Sequence, residues 1–251
     1  MHYFSYIDVG VSSLPSAMSS LSQGGLEALR LIAGADPKLV QIVSLSLQVS
    51  LSAVAVACLA GLPLGAAIAV SRFHGRRALI VALNASMGLP PVVVGLLVYL
   101  MLSRAGPLGE LGLLFTPAAM VVAQAILITP IIAALSRQVI EDAWMEYREQ
   151  LHSLGETRLG AAVTLLWDLR FSLVTIVLAG FGRAAAEVGA VMIVGVNIDG
   201  VTRVMTTAIA LETSKGDLPL ALGLGMVLLV IVFSLNAAAY LVNETAQRRY
   251  G

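Results

Sequence analysis

Four stretches of this chain carry no charged side chain: Leu39–Val70, Ala78–Ser103, Leu111–Ser136 and Leu218–Asn243. Each exceeds the roughly 20 residues that an α-helix needs to cross about 30 Å of hydrocarbon. A fifth, Phe171–Ile198, is apolar apart from Arg183 and Glu187. None alternates with period two, which excludes a transmembrane barrel. Composition agrees, with 58% of the 251 residues apolar and 12% charged, where soluble domains run to about half and about a quarter. A water-soluble fold of this length exposes too much surface to hide that content. The sequence predicts an all-α integral membrane protein with about five transmembrane helices. One cysteine, Cys58, excludes a disulfide scaffold, and a formal net charge of zero without a long basic run offers nothing to nucleic acid.

Arginine placement sets an orientation. Arg72, Arg76 and Arg77 follow the first span; Arg137, Arg148, Arg158 and Arg170 separate the third from the fourth; Arg248 and Arg249 close the chain. In a five-span topology these all fall on one side, opposite Arg30, Lys38, Arg104, Arg203 and Lys215. The expectation is a multi-pass protein of the cell (inner) membrane, with its N-terminus outside and its C-terminus cytoplasmic. Residues 1–23 are Ser-rich, lack a basic start and a continuous apolar run, and read as an extension rather than a signal peptide. Residues 24–38 place Leu26, Leu29 and Ile32 on one face of a short interfacial helix. Asp36-Pro37 restarts the chain, residues 39–243 form the membrane domain, and 244–251 form a cytoplasmic tail.

Several spans contain residues that a plain anchor avoids. Pro90 and Pro91 in the second remove backbone donors and clash one turn back, so the helix is expected to bend there, either for packing or to line a pathway. Gln124, Thr129 and Pro130 leave the same choice in the third. The serines of the first span, Ser44 to Ser52, spread around the helix and suit interhelical hydrogen bonding. Arg183 lies twelve residues past Phe171, about 18 Å along a helix and near mid-bilayer. A charge there costs about 2.5–3.5 kcal/mol even on the lenient scale, and Glu187 stands one turn on. The pair has two readings, a clip between helices or a positive group offered to a crossing anion. Arg203 likewise either lines the external mouth or closes a local salt bridge. His2, His74 and His152 lack metal-ligand spacing, and no metal or catalytic site is expected. No G-x-x-x-x-G-K-[ST] occurs, so any ATP-driven work needs a separate engine.

The segment Arg137–Arg170 is too long for a tight helix connection. Within it, Glu149, Gln150, Leu151, His152, Ser153, Leu154 and Gly155 resemble the E-A-A-x-x-x-G loop of bacterial ABC-importer permeases, with Gly155 free to turn the backbone between two short helices. Further on, Leu165-Leu166-Trp167-Asp168 stands where that family has I-x-L-P, so the distal half departs from the pattern. Gly88–Gly112 and Gly182–Gly225 resemble the permeases of tungstate ABC importers. The related molybdate and sulfate permeases share G-R-A-x-x-E at the position of Gly182-Arg183-Ala-Ala-Ala-Glu187, while Asn197, Thr202–Thr207 and Glu212–Asp217 resemble the tungstate type.

The resemblance covers about Gly24–Asn243 and implies the type I importer fold. It implies a homodimeric pathway for a small oxyanion, tungstate first and molybdate or sulfate second. Two cytoplasmic ABC ATPases carrying ATP and Mg would bind the 149–155 loop, and an extracytoplasmic oxyanion-binding protein would deliver cargo. This chain itself would bind no cofactor and catalyse nothing. The rival reading from another class is a secondary anion carrier using Arg183 and Glu187; a membrane scaffold would explain neither the charge pair nor the broken second span.

Overall fold

The computed structural model describes residues 25–250; the expected 1–23 extension lies outside them. Among the described residues the regular elements are all helical. A short helix α1 (residues 25–33) turns at residues 34–36 into α2 (Pro37–Val70). Asp36 caps α2 by accepting from the backbone N–H groups of Lys38 and Leu39 at 3.0 and 3.1 Å, and Pro37 fills the first helical position, where no donor is needed. Next come α3 (Arg76–Ser86), α4 (Pro91–Leu102) and α5 (Pro117–Ser153), with a single 3-10 turn at Gly109–Leu111. The second half holds α6 (Arg158–Asp168), α7 (Arg170–Ala185), α8 (Gly189–Gly195), α9 (Met205–Lys215) and α10 (Leu218–Tyr250).

Three helices, α2, α5 and α10, are long and apolar enough to cross a bilayer unbroken. Two further apolar stretches are bent helix pairs, α3 with α4 at 101° and α6 with α7 at 75°, each long enough for one further crossing if the pair is taken as a single span. The sequence expectation of about five transmembrane helices agrees with three unbroken helices and two bent pairs. The second span breaks at residues 87–90, where Pro90 is extended and Pro91 opens α4. The bend expected at these prolines is where the structure puts it. The fourth span is not continuous over Phe171–Ile198 either, because α7 ends at Ala185 and α8 begins at Gly189. The third begins at Pro117 rather than Leu111. Gly112 and Phe115 take positive φ, and the Phe115 N–H donates to Val194 O at 3.1 Å, so residues 111–116 fold back instead of joining the helix. Pro130 sits inside an unbroken α5. That helix runs 37 residues, about 55 Å, and continues through Arg137 into the charged segment. At the other end, α10 passes Asn243 to Tyr250, so the expected tail starts inside a helix.

The most extensive contact is α2 against α5. It depends on Gly61 and Gly65, one turn apart, which let the two backbones meet as small residues do between membrane helices. A Cβ on Gly65 would lie 2.7 Å from Ala133 O, whereas one on Gly61 would lie 3.1 Å from the Ile132 side chain and Thr129 O. Around this crossing Ala57, Ala66, Ile128, Ile132, Phe181 and Leu165 form the largest apolar cluster. A second cluster joins Val94 and Val98 of α4 to Met120, Ala123, Val191 and Val194. There α4 and α8 nearly touch, since a Cβ on Gly95 would stand 2.7 Å from the Ala190 Cα.

Overpacking a fitted interface costs typically about 1–3 kcal/mol. Gly65→Ala, which meets backbone, is expected at the upper end of that range, and Gly61→Ala at the lower. Melting of the detergent-solubilised protein tests the order; a Gly65→Ala variant as stable as the parent would show that α2 and α5 do not cross at this closeness.

Candidate functional site

The break between α7 and α8 is where the buried polar side chains of the membrane region gather. In a continuous helix the carbonyl of Ala184 would bond to a backbone N–H one turn on; here it accepts from Gln124 Nε2 of α5 at 3.1 Å and from the Glu187 N–H at 3.1 Å. Glu187 then reaches forward, and its Oε1 accepts from the Ala190 N–H at 3.1 Å, capping α8. Its own carbonyl accepts from Thr206 Oγ1 at 2.8 Å. Beside it, Ser46 Oγ of α2 accepts from the Met205 N–H at 2.6 Å, satisfying the start of α9. Residues from α2, α5, α7 and α9 thus meet around a void of about 10 Å³. Gln124 Oε1 is buried there without a partner.

Arg183 occupies the last turn of α7 and donates to Glu187 Oε2 at 2.5 Å. The carboxylate is 3% exposed and the guanidinium side chain 36%. Glu187 is therefore enclosed by protein, while Arg183 reaches outward. The two charges also suit their helix ends: a cation lies by the carbonyls that end α7, and an anion by the N–H groups that start α8. The structure brings together the pair singled out from the sequence. It adds three partners, Gln124, Ser46 and Thr206, whose roles no local spacing could reveal.

Past α8 the chain makes a tight polar turn. Val196, Asn197 and Gly200 have positive φ. Thr202 Oγ1 donates to Gly195 O at 2.5 Å and accepts from the Ile198 N–H at 2.9 Å. Thr207 Oγ1 donates to Asn197 Oδ1 at 3.0 Å, and Asn197 Nδ2 returns a bond to Thr207 O at 3.3 Å. Arg203 is mostly buried and pairs with Asp199 at 2.9 Å, with Glu212 at 4.0 Å beyond it; Lys215 meets Glu212 at 3.0 Å. Arg203 is thus held in a local ion-pair network.

At the arginine-rich end, the residues expected to form a docking loop cap the end of α5. The N–H of Gly155 bonds to His152 O and that of Glu156 to Leu151 O, each at 3.0 Å, a Schellman turn that needs the positive φ of 78° at Gly155. Leu151 is buried in the main cluster, and the His152 ring packs edge-on against Trp144. Glu149, Gln150, Ser153 and Leu154 face outward, Leu154 with 78% of its surface exposed. Arg76 and Arg137 both bind Glu141 at the base of this arm, the first at 2.7 Å, an ion triad that joins α3 to α5. Reading the sequence left this triad out, although Arg137 and Glu141 stand one turn apart. Pro90 and Pro91 lie at the α3–α4 bend, and the next residue, Val92, packs against Gly189 at the start of α8. Among the described residues no group of His, Cys, Asp and Glu could hold a metal.

Long apolar helices, a helix interrupted within the apolar region and a charged helical arm beyond it define a multi-pass α-helical membrane protein. No family model matches the chain. It is 40% identical over 227 residues to the "Tungstate uptake system permease protein TupB" of Peptoclostridium acidaminophilum, matching 90% of this chain and 100% of the relative. The TupB protein of Campylobacter jejuni is 37% identical over 222 residues, 88% of this chain and 93% of its own. A "Probable anion ABC transporter permease protein" of Haloferax volcanii is 38% identical over 218 residues, 85% and 94% of the two chains. The chain belongs to the ABC-transporter permease family that includes these tungstate uptake proteins. That membership sets aside the reading as a secondary carrier.

Breaking a buried pair by removing one partner costs about 3–5 kcal/mol, whereas removing both is often neutral. Arg183→Met alone, which strands the enclosed carboxylate, should destabilise strongly, and Arg183→Met with Glu187→Gln should recover most of the loss because glutamine can still cap Ala190. Melting curves of the three proteins test this; a double variant as unstable as the single would show that the charges, not their pairing, hold the break.

Proposed function

We propose that two copies of this chain form the membrane pathway of an importer for a tetrahedral oxyanion, tungstate first among the candidates. Two ABC ATPases that bind ATP and Mg dock on the arm around residues 149–155, and an extracytoplasmic binding protein delivers the anion at the opposite face. The N-terminus lies outside and the C-terminus in the cytoplasm. One observation carries this reading: the kinship to tungstate uptake permeases extends over most of the chain. The arm supports it. It is long, fixed at its base by the Arg76–Glu141–Arg137 triad, and ends in a glycine turn that presents Leu154 to a partner. A lever that transmits ATPase motion needs a base held to its neighbours and a shaped tip, and the triad and the glycine turn support that reading.

In this scheme Arg183 supplies the positive potential that an anion needs inside a low-dielectric pathway. Glu187 positions it and keeps the resting charge balanced. The carboxylate is enclosed while the guanidinium is partly free, so an arriving dianion meets the cation first. Arg203, tied to Asp199 and Glu212, shapes the outer turn rather than contacting cargo.

Two measurements test the proposal. Purified chain should copurify as a dimer with a soluble ATPase, and proteoliposomes holding both, with the binding protein outside, should take up tungstate on ATP addition. Gly155→Val should cut uptake at least about tenfold while leaving the membrane helices folded, since a β-branched residue resists positive φ. Undiminished uptake in that variant would remove the 149–155 turn from coupling; uptake without any ATPase would overturn the importer assignment.

A further inference from the structure

Where α2 ends, two adjoining cavities share the residues Val70 and Arg158. The first, about 280 Å³, is lined by Arg72, Arg148 and Arg158 with the Trp144 ring as a wall. The three arginines come from three segments: the turn after α2, the arm of α5 and the first residue of α6. None of them forms an ion pair among the described residues. Among the described residues that line this cavity Glu149 is the one carboxylate, and His152 completes the lining. Three guanidiniums against one carboxylate leave an excess of positive charge. The second cavity, about 420 Å³, is almost wholly apolar, walled by Ala66 and Val70 of α2 and by Leu159, Ala162 and Val163 of α6. Its α2 wall starts at Pro63, so it runs about 10 Å back along an uncharged helix from the arginine pocket.

The surroundings of α6 place this double cavity at a membrane surface. Leu159, Val163 and Trp167 recur every four residues and stand outward, each more than 60% exposed. The Arg170 guanidinium lies 5.1 Å from the Trp167 ring, and the next helix, α7, enters the apolar region. Aromatic and arginine side chains at such a level are the usual anchors of an interfacial helix.

We propose that the double cavity binds an anionic phospholipid, its phosphate among Arg72, Arg148 and Arg158 and an acyl chain along the groove between α2 and α6. A small inorganic oxyanion would use the first cavity and leave the second without a role, and so would an acidic side chain from a partner protein. A phospholipid, anionic at one end and hydrocarbon at the other, fills both. The lipid would wedge α6 against the end of α2, directly behind the arm that carries residues 149–155. The inference needs only that α2 crosses a bilayer, and it holds whichever cargo the permease moves and whichever way the chain is inserted.

The test is retention of phosphatidylglycerol by the full chain in neutral detergent, followed by native mass spectrometry, with phosphatidylcholine as the zwitterionic control. The parent should retain phosphatidylglycerol in clear preference. Arg72→Gln with Arg158→Gln should reduce its affinity about tenfold or more, as removal of two guanidiniums from a headgroup site implies. Val163→Asn, on an exposed helix face, should lower retention without touching the charges. Should the double arginine variant fail to fold, the lipid preference of the parent and the Val163→Asn protein still decide. Equal retention of both lipids overturns the proposal. So does displacement of phosphatidylglycerol by millimolar inorganic phosphate together with an unaffected Val163→Asn variant, which would mark a small-oxyanion site. Loss of the lipid whenever an ATPase binds overturns it as well, by assigning the arginines to that partner. Absent uptake in the transport assay leaves lipid retention unchanged, so the two proposals fail separately.

Discussion

Within hydrocarbon no water is present to bond a backbone N–H or carbonyl, so every interruption of a helix must find its partners inside the protein. That constraint organises this molecule. The chain interrupts a helix at residues 186–188, and side chains remote in sequence answer for the freed groups. Gln124 takes the carbonyl of Ala184, Thr206 binds that of Glu187, Ser46 accepts from the N–H of Met205, and Glu187 serves Ala190. Gln124, Thr206 and Ser46 belong to helices α5, α9 and α2, which must therefore stay in register with one another. The close approach of α2 and α5 at Gly61 and Gly65 follows from the same demand, because Ser46 and Gln124 lie on those two helices and must both reach the break.

A broken helix also supplies charge sites that an unbroken one lacks. The end of α7 exposes carbonyl dipoles and the start of α8 exposes N–H dipoles, so a cation and an anion placed there are each partly solvated by backbone. Arg183 and Glu187 occupy these two positions and pair across the gap. The pairing lowers the cost of the carboxylate more than that of the guanidinium, which retains exposed surface. The asymmetry gives the site a direction. It is an enclosed anion holding a partly exposed cation.

Elements with local causes were legible in the sequence. Asp36-Pro37 announces the start of α2, Gly155 the end of α5, and Pro90-Pro91 the bend in the second crossing, because a cap, a positive φ and a missing donor act on neighbouring residues. The split of α7 from α8 carries no such signal. No proline lies there, and the break is held by Gln124 and Ser46, 60 or more residues away. The start of α5 at Pro117 rather than Leu111 was legible in principle: Gly112 and Pro117 are turn and helix-start residues within an uncharged run that hydropathy alone reads as span. Arg203 shows the remaining limit. Its sequence neighbours allow both a mouth residue and a salt bridge, and only the fold brings Glu212 near it.

The arm beyond the membrane region obeys different physics from the node. It carries charges and exposed side chains, and it is tied to the rest of the molecule by helix continuity and by ion pairs that bind across elements. Glu141 receives Arg76 and Arg137, tying the first turn of α3 to the point where α5 leaves the apolar region. The main apolar cluster reaches outward along the same helix through Ile140 and Ala143 to Leu151, and sideways to Ala161 and Leu165 of α6. A displacement at Gly155 is therefore opposed by packing that continues to Ile128, Ile132 and Phe181, a few residues from Gln124 and Arg183. The tip of the arm and the end of α7 share one apolar cluster, so packing along α5 is continuous from Leu151 to Ile128.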